Sequence, residues 1–184
     1  MHQMGVYIFF CSMVFPYVYF AYLAAHFTPD MKGLDDIDRH LLDILQDNSQ
    51  ITIRELSSKL KLSSTPIHER IKKLERNGYI KGRITLLDYK KLGYGLHAYV
   101  MVTLQIRTQE ALNNFVTQIN EIPEVLESYY VSGQWDFLCK VCCIDMDAYH
   151  SMLVGRFSHI PNVGALHSLF VLNEIKVTHK VPLV

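Results

Sequence analysis

Three short, separately capped helices can be read between Asp35 and Gly78, and this compact pattern constrains the fold more than any other feature of the chain. Asp35 is a good N-cap, and Ile37, Leu41, Ile44 and Leu45 follow it as one apolar stripe at helical spacing. Asn48-Ser49-Gln50 ends that helix. Thr52-Ile53-Arg54-Glu55 has the form of a capping box, with threonine at the N-cap and glutamate three residues on; Ile53, Leu56 and Leu60 make the inner face. After the short turn Lys61-Leu62-Ser63, a third helix is expected over residues 64–76. Ser63 or Ser64 can cap it, and Pro66 is tolerated in a first turn, where a missing N–H matters little. Ile67, Ile71 and Leu74 point inward, and Asn77-Gly78 stops the helix. Tyr79-Ile80 and residues 83–87 then look like two short strands of a wing.

The surface of the third helix suggests a partner. A helix of this diameter fits the major groove of double-stranded DNA, and its N-terminal residues reach base edges. Ser64, Thr65 and His68 stand at that end with hydrogen-bonding side chains. Arg70, Lys72, Lys73 and Arg76, with Lys81 and Arg83 in the wing, are placed to meet phosphates. The charge distribution agrees. The whole chain is formally neutral, but residues 52–91 hold 11 basic against 4 acidic side chains, whereas residues 92–184 hold 5 against 8. A basic segment joined to a mildly acidic one suggests a polyanion-binding module attached to something else.

Residues 92–184 alternate between strand and helix patterns. Leu96–Ile106 places Ala98, Val100, Val102, Leu104 and Ile106 on one face of a strand. Residues 110–120 carry Leu112, Phe115, Val116 and Ile119 at helical spacing, and Pro123 breaks the chain. Strands are expected over residues 125–132 and 137–144, joined by the turn Gly133-Gln134-Trp135-Asp136. Asp145 or Asp147 caps a helix burying Tyr149, Met152, Leu153 and Phe157, and residues 166–177 supply a fourth strand. The order βαββαβ is that of a ferredoxin-like (split βαβ) domain. The expected class is therefore α+β, with a winged helix-turn-helix over residues 31–91 and the ferredoxin-like domain over 92–184. Two helices on one sheet face leave the other needing cover, which partner subunits can provide.

The four cysteines form no framework of a disulfide-rich domain. Cys139 and Cys142 make a C-x-x-C, but on a strand those positions face opposite sides, so their sulfurs do not converge on a metal. No P-loop, nucleophile elbow, H-E-x-x-H or Rossmann glycine pattern occurs, and no catalytic residue, metal or cofactor is expected. Residues 1–30 stand apart. Val6–Phe27 has no Asp, Glu, Lys or Arg and is long enough to span a bilayer, though Pro16, Ser12 and His26 make it a mediocre span. It is read either as a dispensable extension, with Met31 as the true start, or as a membrane anchor that leaves the basic residues in the cytoplasm.

The residues also resemble a known family, the leucine-responsive regulatory protein and asparagine regulator (Lrp/AsnC) transcription regulators. The matching stretches are Leu34-Asp-Asp-Ile-Asp38, Thr52-Ile-Arg-Glu-Leu-Ser57, residues 62–75, Asn77-Gly-Tyr-Ile80, Gly133-Gln-Trp-Asp136, Glu174-Ile-Lys176 and Val181-Pro-Leu183. The resemblance runs from about residue 31 to the end. It implies a cytoplasmic, sequence-specific DNA-binding protein that dimerises through its C-terminal sheets and often assembles into octamers. It also implies that an amino acid or related metabolite binds near the turn Gly133, Gln134, Trp135 and Asp136, where glycine allows close backbone approach and the carboxylate can pair with an α-ammonium. Trp135 occupies a variable position of that motif and can line a pocket or simply pack. Phe137 follows where the family often has tyrosine, and it brings no hydroxyl. Sirohaem decarboxylases resemble the same two-domain arrangement, and His97, His150, His159 and His167 are the side chains such an enzyme could enlist. A membrane-tethered regulator is the other alternative.

Overall fold

The computed structural model describes residues 33–183, so the expectations for residues 1–30 lie outside the described residues. The chain forms two units, one of residues up to Arg83 together with those from His179 onward, the other of Ile84–Thr178.

In the first unit, α1 (Asp36–Asp47), α2 (Ile53–Leu60) and α3 (Ser64–Arg76) start where their caps predict. The Asp38 N–H donates to Asp35 Oδ1 at 2.7 Å. Thr52 Oγ1 accepts the Glu55 N–H at 3.2 Å, while the Glu55 carboxylate accepts the Thr52 N–H at 2.8 Å, completing the capping box. These bonds favour the ionised carboxylates. The Asp38 N–H, aided by Arg70, holds Asp35 below its ordinary pKa, and the Thr52 N–H and hydroxyl do the same for Glu55. Ser63 occupies the N-cap of α3 with extended backbone but makes no capping bond through its side chain. Leu34, Leu41, Leu42, Ile44, Leu56, Ile67 and Leu74 form the core.

The wing strands expected at Tyr79-Ile80 and residues 83–87 do not form. Gly78 turns the chain at φ +76°, and the N–H groups of Tyr79 and Ile80 both go to the Leu74 carbonyl, at 2.9 and 3.2 Å. Those donors close the end of α3 and are lost to any ladder.

One charged residue sits inside this apolar core. Asp38 is fully buried, and its Oδ1 accepts from Arg70 Nη1 at 2.5 Å. The same nitrogen donates to Asp35 Oδ2 at 2.6 Å. Asp38 Oδ2 has no hydrogen bond, and the Lys73 ammonium lies 3.8 Å from it. The cluster ties α1 to α3. The C-terminal tail packs on α1 as well. The Gln46 side-chain amide accepts the Val181 N–H at 2.7 Å and donates to the Val181 carbonyl at 3.1 Å. Lys180 bridges Asp43 and Asp47, and Leu183 packs against the core. From sequence this tail is assigned to the 92–184 domain; its local pattern contains nothing that announces a partner 135 residues away.

In the second unit, β1 (Leu96–Leu104), β2 (Val125–Tyr130), β3 (Phe137–Cys143) and β4 (Val163–Phe170) form one antiparallel sheet in the order β2-β3-β1-β4. Helices α4 (Gln109–Asn120) and α5 (Met146–Gly155), capped by Thr108 and Asp145, lie on one face. Ala98, Val100, Val102 and Leu104 bury themselves there with Phe115, Ile119, Phe137, Met152 and Phe157. The alternate residues of β1 are only half-buried. The fourth strand begins earlier and ends sooner than the expected 166–177. It starts opposite Leu104, and after Val171 donates to the His97 carbonyl it has run past the start of β1, so no partner remains. The C-x-x-C sulfurs face opposite sides of β3. Cys139 Sγ lies 3.4 Å from Ser128 Oγ in the helix-side core, and Cys142 Sγ lies 3.3 Å from His97 Nε2.

Two stability predictions test this architecture. Phe115 is fully buried and stacked on Phe137 at 4.2 Å. Phe115→Ala is expected to lower the unfolding free energy by about 3–5 kcal/mol in urea denaturation. Arg70→Ala strands the buried Asp38 charge and is expected to cost about 3 kcal/mol, part of which returns when Asp38→Leu is added; no recovery in the double variant means the pair does not act as a unit.

Candidate nucleic-acid interface and effector turn

The face of α3 turned away from its core is polar and basic. Ser64, Thr65 and His68, at or near its N-terminal end, are all exposed, and so are Lys72, Lys73 and Arg76 further along. Ile67 and Leu74 anchor the opposite side, with no exposed surface. Helical geometry therefore separates a packing side from a contact side on one element. Lys81 and Arg83 follow in the exposed extended segment, where Arg83 Nη2 also pairs with Glu75 at 3.2 Å.

Arg70 differs from the other cations of this helix. Its side chain is 25% exposed and its Nη1 is shared between Asp38 and Asp35, which both raise its pKa, Asp38 the more. The sequence groups it with phosphate-facing residues because helical spacing alone cannot show that two carboxylates of another helix approach it. Lys73, 48% exposed, keeps its ammonium beyond hydrogen-bond length from Asp38 and can reach outward.

The second candidate region is the turn between β2 and β3. Gly133 has φ +125° and open space where a Cβ would stand, so the turn's backbone alone accounts for glycine there. Gln134 is exposed. Trp135 is half-buried and its ring lies 5.6 Å from that of His167 on β4. Asp136 is buried, and its oxygens are engaged by this chain: Oδ2 accepts the Leu104 N–H at 2.8 Å and Oδ1 accepts Arg107 Nε at 2.7 Å. Arg107 escapes sequence reasoning, because it stands 29 residues from Asp136 in a stretch without a motif.

The four histidines do not gather. His97 meets Cys142 and, through Nδ1 at 3.6 Å, Glu174; His159 Nδ1 lies 3.0 Å from the Val154 carbonyl; His167 faces Trp135; His150 is exposed. Burial raises the thiol pKa of Cys139, Cys142 and Cys143, the last to about 11, which keeps them protonated and poorly nucleophilic. Among the described residues no helix is long and apolar enough to cross a membrane.

Each half of the chain matches a family model. Residues 34–81 match the family model described as winged helix-turn-helix DNA-binding, and residues 97–181 match the Lrp/AsnC ligand binding domain. The chain is 35% identical over 150 residues to the DNA-binding transcriptional activator DecR of Escherichia coli (strain K12), covering 82% of this chain and 99% of that one. It is 35% identical over 149 residues to the leucine-responsive regulatory protein of the same strain, covering 81% and 91%. Among solved structures, it resembles the transcriptional regulator NMB0573 of Neisseria meningitidis, in complex with L-Met, with a TM-score of 0.77, 32% identity, and coverage of 81% of this chain and 96% of that one. These relatives carry the names of regulators and not of enzymes, which sets aside the decarboxylase reading. The chain belongs to the Lrp/AsnC family of DNA-binding transcription regulators.

Proposed function

We propose that this regulator reads operator DNA by laying the N-terminal end of α3 in the major groove. Ser64, Thr65 and His68 meet base edges there, while Lys72, Lys73, Arg76, Lys81 and Arg83 neutralise phosphates. The observation that carries this reading is the two-sided helix: Ile67 and Leu74 are locked into the core, while Ser64, Thr65, His68, Lys72, Lys73 and Arg76 are all exposed. Arg70 serves differently, holding α3 against α1 through Asp35 and Asp38.

The effector side of the proposal is that an amino acid or related small metabolite binds at the turn Gly133–Asp136. The ligand-binding description of residues 97–181 supports it, as does the L-Met complex of the Neisseria relative. The outer sheet face, with Tyr129 50% and Leu169 47% exposed beside half-buried Tyr99 and Met101, supports a homodimer closed through that face and able to build octamers. A cytoplasmic location follows from the DNA-binding role of the relatives.

Salt titration of binding to genomic fragments tests the DNA reading. Lys72→Ala is expected to weaken binding to all sequences and to lower the salt slope by about one. His68→Ala is expected to leave the slope intact and change the preferred sequence. Arg70→Lys is expected to leave the slope intact. Absence of salt-sensitive retention on any fragment overturns the assignment. For the sheet face, Leu169→Asp is expected to shift the mass measured by light scattering toward the monomer; an unchanged mass places the interface elsewhere.

A further inference from the structure

The turn assigned to the effector presents a cation to solvent, not an anion. Asp136 retains only 6% exposure, with one oxygen on the Leu104 N–H and the other on Arg107 Nε. It is thereby a poor receptor for a ligand's ammonium group. Arg107 has the opposite situation: its side chain is 59% exposed, and its pairing with Asp136 uses only Nε. The terminal nitrogens of the guanidinium keep the fork of N–H donors that matches a carboxylate in a bidentate arrangement. Asp136 also fixes the orientation of that fork before any ligand arrives, which reduces the side-chain entropy lost on binding. The residue before Asp136, Trp135, has its ring tilted against that of His167 at 5.6 Å and offers ring surface beside the same turn.

We propose that Arg107, oriented by Asp136, binds the carboxylate of the effector and so holds it by its acid end. The inference rests on the effector reading of the Gly133–Asp136 turn given above, and it changes the role of Asp136 from ligand contact to positioning residue. Amidation of the ligand removes the charge that the guanidinium recognises and leaves its side chain intact.

The full-length protein is titrated calorimetrically with the proteinogenic L-amino acids and, for each that binds, with its carboxamide. The carboxamide is expected to bind about tenfold more weakly or worse. Arg107→Gln is expected to weaken the acid by a similar factor and to erase the difference between acid and amide; Arg107→Lys is expected to restore part of it. A purely structural role for Arg107 would weaken both ligands alike and preserve their ratio. Equal binding of acid and amide by the wild type overturns the inference without any variant. Undiminished binding of the acid by Arg107→Gln overturns it too, and leaves the effector reading standing. Failure of the wild type to bind any amino acid overturns the reading of an amino acid as effector, and this inference with it.

Discussion

The DNA-binding unit is organised around a buried charge. Asp38 sits in a core otherwise built from leucine and isoleucine, with no exposed surface. An isolated carboxylate there would be expensive to bury, and the Arg70 guanidinium compensates it. Because Asp38 belongs to α1 and Arg70 to α3, satisfying the charge also sets how the two helices meet. A hydrophobic contact at that point tolerates sliding; a carboxylate facing a guanidinium does not. The direction in which α3 offers Ser64, Thr65 and His68 therefore depends on an ion pair that itself never needs to touch DNA.

The effector domain repeats the device in a different setting. Asp136 closes the end of the sheet by accepting the Leu104 N–H and extends a second hand to Arg107. In both units a buried acidic residue orients a basic one. The difference lies in exposure. Arg70 is drawn inward between two carboxylates, whereas Arg107 is restrained at one nitrogen and otherwise open. The first arrangement spends its cation on architecture, and the second keeps it available.

Much of this was legible in the sequence, where local rules decide the outcome. Asp35, Thr52, Thr108 and Asp145 cap helices through contacts three residues away, and alternation along β1 identifies its core face. What the sequence does not show is that Tyr79 and Ile80, which look like strand residues, give their N–H groups to the Leu74 carbonyl. The end of β4 was misplaced because a strand's length depends on how far its neighbour runs, and only the pairing with β1 shows that. The roles of Arg70 and Asp136 were blurred for a related reason. Each residue type suits both a surface contact and an internal pair, and the choice is made by Asp38 and Arg107, which are 32 and 29 residues distant.

The tail on α1 makes the chain pass between its two units twice, once after Arg83 and once before His179. The DNA-binding core is thus completed by residues from the far end of the sequence, so a proteolytic cut just before His179 leaves Lys180, Val181 and Leu183 attached to α1 by non-covalent contacts alone.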